Sequence, residues 1–444
     1  MSAETHLEAA AERARATHPG TLSAAATITA QHCLLDWFAC AIAGANSDAA
    51  HAMRAVVPAL SAGGAGVVGD SGRRSTKDAA LLNGVAAHAL DFDDLHPHMS
   101  THASVAIVPA LLAVAEDRVL SVEQVLTSLV AGVEFGAEVG RLISPRHYRE
   151  GWHTTGSVGA IAAAAAIAHL TDLDAAQFRT ATALASTLGG GLRTMFGTMA
   201  KPLHAGRAAS SGVLAGMLAA ERFTAARDGL TGPLGFVTMF SDPEQGPPPL
   251  RSDEAITDTV FKLVAACTGT HASVANARAA LRRTGIGVDD VARVEVWVSP
   301  ENESVCGIEQ PRTGTEAKFS LRATTAMAFL GWDLADESSY EAGAESPDVA
   351  AFAERIVVSY EPAMLGRPFF SKMRLTPRAG ESVFVEADAS LPERDLEVRE
   401  EQLTTKLFAL ANPSIGSGNV SRLAGLILGE PDAPVSDLMA LVSD

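Results

Sequence analysis

Apolar residues recur at helical spacing from Thr21 to about Lys262. Short breaks containing glycine, proline or asparagine separate the apolar stretches, and runs of β-branched residues are few. The pattern predicts a large, all-helical domain over residues 1–268. The predicted helices cover Leu22–Ala43, Thr76–Ala89, Val105–Ala115, Val122–Leu142, Val158–Leu170, Ala175–Thr187 and Ala208–Arg222.

After about residue 270, apolar and polar residues alternate instead. Such alternation predicts half-buried strands, here Ala292–Val298, Arg355–Tyr360, Met373–Thr376 and Ser382–Glu386. Together with predicted helices at Ala272–Arg283 and Leu321–Leu330, they indicate a smaller, lid-like α+β domain over residues 269–392. Helical patterning returns in Glu397–Ala411 and Val420–Leu428, so we expect residues 393–444 to pack back on the helical domain. The predicted fold class is mainly α.

Composition supports this division of the chain. The 444 residues are 47% hydrophobic and 19% charged, enough apolar material for a large core and about two domains. Only 5% are aromatic, whereas alanine and glycine are abundant, which suits helices packed at short distances. A large all-β sandwich is therefore disfavoured.

The formal net charge of −18 argues against nucleic acid or an anionic membrane as a partner, because the overall field repels both. A small anionic substrate remains compatible, since local cations and helix starts can hold it. The N-terminus lacks the apolar core of a signal peptide, and the most apolar run, Val158–Leu170, is shorter than the ~20 residues of a membrane span. With four cysteines and no C-x-x-C pair, a cytoplasmic location is expected.

The densest chemical signal lies between His88 and His102, where four histidines and three aspartates occur. His88 and Asp91 are three residues apart at the end of a predicted helix, so one helix face can carry both. Three explanations remain open: a divalent-metal site, a metal-free acid/base network, or a polar loop that satisfies its own backbone. His102 precedes an apolar helix that Ser100 or Thr101 can cap, and the helix dipole there disfavours an imidazolium.

Two further stretches precede apolar helices. His153 is followed by Thr155 and small residues, which makes an anion seat at the helix start; the alternative is an N-cap with glycines for tight packing. Lys201 is one of six lysines and lies in an apolar context, where it serves an anion or extends to solvent. Lys262 and Cys267 form a weaker candidate, in which the cysteine is alternatively a core residue.

Several enzyme classes lack their motif in this chain. The sequence contains no Gly-x-Gly-x-x-Gly that opens a helix after a strand, no phosphate-loop Gly-Lys-Ser/Thr and no His-Glu-x-x-His. Nicotinamide, nucleoside triphosphate and zinc-protease chemistry are therefore disfavoured.

Taken in order, the motifs resemble those of the MmgE/PrpD family, whose members include dehydratases, decarboxylases and an epimerase of small carboxylic acids. The resemblance covers nearly the whole chain. It is carried by Leu35–Gly44, Asn83–Asp94, His102–Ser104, Gly151–His153 with Thr155–Gly156, Lys201–Gly206 and Ala317–Ser320.

The resemblance implies a homodimer, no metal or organic cofactor, and chemistry at the carbon alpha to a carboxylate. It implies that His102 and His153 move protons, that Lys201 and Lys262 hold substrate carboxylates, and that Asp91 orients its neighbours. The resulting assignment takes as catalytic His102, His153, Asp91 and Lys201, and as substrate-binding Lys262, Tyr148, His204, Arg207 and Thr155.

Three positions depart from the family pattern: Leu95, Cys267 and Ala323 stand where a threonine, a histidine and a tyrosine are usual. Their loss makes cis-aconitate-type decarboxylation less favoured. The leading hypothesis is a lyase that eliminates water from a small polycarboxylic acid, as 2-methylcitrate dehydratase does. The alternatives are a cofactor-independent epimerase of a dicarboxylate such as iminodisuccinate, a decarboxylase, and a non-catalytic protein that binds a small acid. No role is assigned to His96 and His98.

Overall fold

Serine and aspartate side chains mark many of the helix starts. Ser23, Ser47, Ser75, Ser121 and Asp174 each accept a hydrogen bond from the first turn of the helix that follows. The computed structural model describes residues 2–60, 63–242, 244 and 246–443. Its first helices are α1 Ala3–Arg15, α2 Ala24–Gly44, α3 Asp48–Val56, α4 Thr76–His88, α5 Ala103–Arg118, α6 Val122–Ile143, α7 Arg146–Arg149, α8 Thr154–Leu170, α9 Ala175–Leu188, α10 Ala200–Ala220 and α11 Phe236–Phe240.

The mainly helical fold is confirmed, with two local corrections. First, α10 begins at Ala200, eight residues before the predicted start, because Pro202 is tolerated in a first helical turn. Second, the helical region is not all-helical: β1 (Ala65–Val67) and β2 (Asp70–Arg74) form an antiparallel hairpin. β1 has only three residues and β2 (Asp-Ser-Gly-Arg-Arg) contains no apolar residue, so no alternation of apolar and polar residues reveals them.

Small residues allow the helices around α8 to approach closely. A Cβ atom added to Gly132 of α6 would lie 2.7 Å from the Cβ of Ala166, and one added to Gly212 of α10 would lie 2.5 Å from the Cβ of Ala163. Side chains larger than glycine would push these helices apart. A Cβ added to Gly159 of α8 would likewise lie 2.8 Å from the Cβ of Ala106 on α5. Small residues therefore also set how closely the two histidine-bearing helices, α5 and α8, lie beside each other.

The second region is built on a four-stranded sheet. Its order is β4-β3-β5-β6, with β3 and β4 parallel and the other neighbours antiparallel. All four predicted strands are present, and alternate residues such as Val294, Val296 and Met373 are buried. Its elements are α12 Thr268–Thr284, β3 Val291–Val298, α13 Glu303–Cys306, α14 Gly314–Lys318, α15 Leu321–Phe329, α16 Ser338–Glu345, α17 Pro347–Ala353, β4 Ile356–Tyr360, β5 Phe370–Pro377 and β6 Val383–Asp388.

The last two helices lie against the first region. They are α18 (Leu396–Gly429), which is interrupted at Gly416 (φ 76°, ψ 153°), and α19 (Val435–Ala440). Leu407 and Leu423 belong to the same buried core as the residues of α2. Among the helices of the described residues, none is long and apolar enough to cross a membrane.

Candidate active site

A cavity of about 340 Å³ lies where the helical region meets the sheet region, a volume suited to a small ligand. The helical region and the segment after it contribute mostly polar groups, and the sheet region contributes several aromatic and apolar ones. The lining includes Asp91, Leu95, His102, Tyr148, His153, Thr155, Phe196, Lys201, Lys262, Cys267, Thr268, Asn302, Val305, Phe319, Arg367 and Phe370.

Two histidines occupy equivalent places at this cavity. His102 is the N-cap residue of α5 and His153 is the N-cap residue of α8, and neither ring caps its own helix. The expected cap of α5 by Ser100 or Thr101 is wrong, because Asp94 supplies it: Asp94 Oδ1 accepts from the Ser104 backbone N–H at 3.2 Å. Both rings are thereby left available to the cavity.

Asp93 lies between two histidine rings. Its carboxylate is 2.9 Å from Nδ1 of His88 and 2.8 Å from Nδ1 of His102, although the second contact lacks the alignment of a hydrogen bond. Burial opposes ionisation of Asp93, but the two histidines hold its pKa well below the usual range. The expected pairing of His88 with Asp91 is wrong: α4 ends at His88 and Asp91 has a left-handed backbone (φ 52°), so helical spacing no longer applies.

Asp91 instead joins the two lysines of the site. Its Oδ1 lies 2.7 Å from Nζ of Lys201 and 2.7 Å from Nζ of Lys262, and Lys262 also donates to the Asp91 carbonyl at 2.8 Å. Against the effect of burial, the two ammonium groups hold the pKa of Asp91 well below its usual range. Two ammonium groups thus share one carboxylate, so the three side chains together carry a net positive charge that can attract an anionic ligand.

His153 has cationic and imidazole neighbours instead of carboxylates. Its Nδ1 lies 3.0 Å from Nδ1 of His204, and its ring is stacked 6.0 Å from that of His88. Burial, reinforced by Lys201 and by the other histidines, holds the pKa of His153 well below its usual range. Burial likewise lowers the pKa of His88 to about 4. His153 is therefore neutral near pH 7.

The remaining predicted residues divide into two groups. Thr155 and Tyr148 line the cavity; the Thr155 hydroxyl accepts from the backbone N–H of His102 at 3.2 Å, and burial raises the pKa of Tyr148 to about 12. His204 is half-buried and reaches the site through His153. Arg207 is exposed and is not part of the cavity lining, because six residues of helix place it about 120° around α10 from Lys201.

Of the residues that depart from the family pattern, Leu95 and Cys267 line the cavity, whereas Ala323 is buried outside that lining. His96 and His98 bind elsewhere: His96 Nε2 is 2.8 Å from the Ala255 carbonyl, and His98 Nε2 is 3.1 Å from Asp258. Both histidines therefore tie the loop to the segment around residue 256.

Sequence reasoning assigned no role to Asp93, which lies in the same acidic cluster as Asp91. The only available signal was that cluster, since nothing in the spacing distinguishes one aspartate from the next. Three phenylalanines that line the cavity were not predicted as site residues either, because their sequence context is that of ordinary core residues: Phe196, Phe319 and Phe370.

Four side chains could in principle hold a metal ion: one donor atom each from His88, Asp91, Asp93 and His102 lies within 4.8 Å of the others. The Asp91 carboxylate, however, already pairs with the ammonium groups of Lys201 and Lys262, which would repel a divalent cation. The geometry therefore fits a proton-transfer site better than a metal centre, and metal independence stays a prediction.

Comparison with known proteins agrees with the motif order. The model of the MmgE/PrpD N-terminal domain matches residues 8–247, and that of the MmgE/PrpD C-terminal domain matches residues 264–427. The chain belongs to the MmgE/PrpD family.

Curated relatives within the MmgE/PrpD family include cis-aconitate decarboxylases. The chain is 26% identical to the cis-aconitate decarboxylase-like protein oryM of Aspergillus oryzae, over 96% of this chain and 94% of that protein. It is 26% identical to a cis-aconitate decarboxylase of Aspergillus terreus (74% of this chain, 73% of that protein) and 28% identical to that of Homo sapiens (64% and 61%). These relatives are lyases, and none of them is named as a dehydratase.

Proposed function

We propose that this protein is a lyase that removes the proton alpha to a carboxylate of a small polycarboxylic acid and eliminates water. The observation that carries the proposal is the pair of histidines at the starts of α5 and α8, in opposite electrostatic surroundings, beside two lysines joined by Asp91.

Lys201 and Lys262 provide the binding site for a substrate carboxylate, called the lysine seat below. Their ammonium groups both touch Asp91 Oδ1, so the aspartate neutralises one of two charges and a second carboxylate can share the other. As the alpha proton leaves, negative charge moves onto that substrate carboxylate. Ammonium groups already in place stabilise this charge without reorganisation.

His153 and His102 divide the proton transfers between them. Two groups in unlike electrostatic surroundings are candidates for base and acid. His153 is the base, because burial and Lys201 lower its pKa and favour the neutral ring, which can accept the alpha proton. His102 is the acid: the carboxylates of Asp93 at 2.8 Å and Asp91 at 3.7 Å favour a positive charge on its ring, against the opposing effect of the α5 dipole. As the C–O bond breaks, His102 gives its proton to the departing hydroxide, and water and a carbon–carbon double bond are formed.

Decarboxylation is the second candidate, and the names of the curated relatives favour it. In that reaction the lysine seat would hold a substrate carboxylate while the C–C bond to carbon dioxide breaks. The acid would then give its proton to the carbon that keeps the electron pair, and no base would be needed. Cys267 in the cavity wall, where the decarboxylase pattern has a histidine, argues against decarboxylation and is compatible with either elimination of water or epimerisation.

The test is to incubate the full-length protein, freed of metal by a chelator, with 2-methylcitrate, cis-aconitate or iminodisuccinate in D₂O and to follow each by NMR. We expect 2-methylcitrate to lose water without added metal. Release of carbon dioxide from cis-aconitate, or deuterium uptake with inversion of iminodisuccinate, would replace dehydration by decarboxylation or epimerisation. Activity that requires a divalent ion would overturn the metal-free mechanism, and binding without turnover would indicate a non-catalytic acid-binding protein.

The Lys201→Met variant tests the lysine seat in the same experiment, since methionine has about the length of lysine and lacks its charge. We expect it to lose affinity for all three acids. Unchanged affinity would contradict the lysine seat.

A further inference from the structure

Lys406 is a buried lysine outside the cavity that the proposed reaction does not use. It lies on α18 in the C-terminal part of the chain and is only 6% exposed. Its Nζ donates to Asp36 Oδ1 at 2.6 Å, to the Phe92 carbonyl at 2.6 Å and to the Lys262 carbonyl at 3.0 Å. Three acceptors match the three N–H donors of an ammonium group, so each has a partner.

Two of these acceptors belong to the machinery of the site. Phe92 lies between Asp91, which joins the lysines, and Asp93, which contacts His102. The second of them is the main-chain carbonyl of Lys262, whose own side chain returns to Asp91 at 2.7 Å. The ammonium of Lys406 therefore holds together the two chain segments whose side chains meet at Asp91.

Stability alone is a weak explanation for such an arrangement. Taking an ammonium and a carboxylate out of water is costly, and well-packed apolar residues in their place are often equally stable. An apolar pair would, however, leave the carbonyls of Phe92 and Lys262 without a donor and their segments free to shift.

We propose that Lys406 is a positioning residue that sets the relative placement of the Asp91–Asp93 segment and Lys262. This inference rests on the proposed function, because the placement matters through the lysine seat and the His102–Asp93 contact. Asp36, on α2, is the counter-charge that allows the ammonium to be buried.

The competing role for Lys406 is to fasten α18 to α2, and Arg399 provides a matched control for it. Arg399 is also buried on α18, and it donates to Nδ1 of His32 at 2.9 Å and to Thr29 Oγ1 at 2.6 Å, both on α2. Its described hydrogen bonds go to α2 and to the Glu393 carbonyl, and not to the segment 91–93. Arg399 approaches the site segments through the ring of Phe261, 5.4 Å from its guanidinium carbon. Lys406 and Arg399 thus share the helix contact, and they differ in the hydrogen bonds that Lys406 alone donates to the carbonyls of Phe92 and Lys262.

The experiment compares Lys406→Met with Arg399→Met in the full-length protein. For Lys406→Met we expect kcat/KM to fall about 10²-fold, since small displacements of reacting groups have effects of this size. Displacement of Asp93 relative to His102 should lower kcat, and displacement of Lys262 should raise KM. For Arg399→Met we expect a lower unfolding temperature with kcat and KM within about twofold of the parent protein. Equal losses of kcat/KM in the two variants would show that Lys406 only holds α18 against α2, and would overturn the inference.

A measurement that needs no turnover separates this inference from the proposed function. In ¹⁵N-histidine NMR of the ligand-free protein, we expect Lys406→Met to move the imidazole signals of His88 and His102, and Arg399→Met to leave them in place. If Lys406→Met does not fold, Lys406→Gln, which keeps two N–H donors, is compared in the same way. If the parent protein has no lyase activity but Lys406→Met moves the imidazole signals, the proposed function is wrong and the positioning role stands. If Lys406→Met leaves the signals in place, the positioning role is wrong.

Discussion

His102 and His153 have the same place in their local sequence and opposite surroundings in the fold. Each is the N-cap residue of an apolar helix and each lines the cavity. The ring of His102 contacts Asp93 and approaches Asp91, whereas that of His153 contacts His204 and is lowered in pKa by burial and by Lys201. The helix start determines that a histidine reaches the cavity, and the side chains around it determine which charges its ring faces.

The largest effect is expected when each histidine is replaced separately by glutamine, which tests whether the two rings have different roles. A positioned acid or base contributes ~10²–10⁴-fold, so kcat should fall by at least 10²-fold in either variant. The two variants should differ in D₂O: His153→Gln loses exchange of the alpha proton, and His102→Gln retains exchange while water elimination stops.

NMR of the substrate in D₂O measures exchange and elimination together. Loss of exchange in His102→Gln with retention in His153→Gln would reverse the assignment of acid and base. Near-normal turnover in both variants would remove the two histidines from the mechanism.

Asp93→Asn tests the carboxylate that distinguishes the two surroundings. The change removes the negative charge 2.8 Å from the His102 ring, so kcat for water elimination should fall about 10–100-fold while exchange of the alpha proton continues. NMR of the substrate in D₂O measures both rates.

The adjacent Asp94→Asn serves as the control for this change. Burial raises the pKa of Asp94 to about 7, so this carboxyl carries less charge at neutral pH, and it contacts Ser104 of α5. We expect a smaller fall of kcat in this variant. Equal losses would assign the effect to the loop as a whole.

The smallest expected effect concerns His204, which orients His153 from α10. Its replacement by phenylalanine removes one hydrogen bond of about 1 kcal/mol, so kcat should fall on the order of tenfold. Arg207→Ala, on the exposed part of the same helix, should leave kcat and KM unchanged. Steady-state kinetics on both variants decides the matter, and a raised KM in Arg207→Ala would restore the substrate-binding role expected from the sequence.

Much of the fold was predictable because helical and alternating patterns are local. Helices α2, α4, α6, α8 and α9 and the four strands of the larger sheet follow from apolar spacing alone. The hairpin of β1 and β2 did not, because β1 has three residues and β2 contains no apolar residue. The early start of α10 was missed because Lys201, Pro202 and His204 interrupt the apolar pattern although the backbone continues through them.

The sequence by itself determined which residue types are present at the site and that two histidines precede apolar helices. The tertiary structure alone decided that Asp93 lies between His88 and His102, that Asp91 approaches only His102, at 3.7 Å, and that Lys201 and Lys262 meet on Asp91. It also decided that Arg207 is turned away from the cavity and that Lys406 reaches the site from the far end of the chain. These contacts depend on a left-handed backbone at Asp91 and on the packing of segments more than a hundred residues apart, and residue spacing encodes neither.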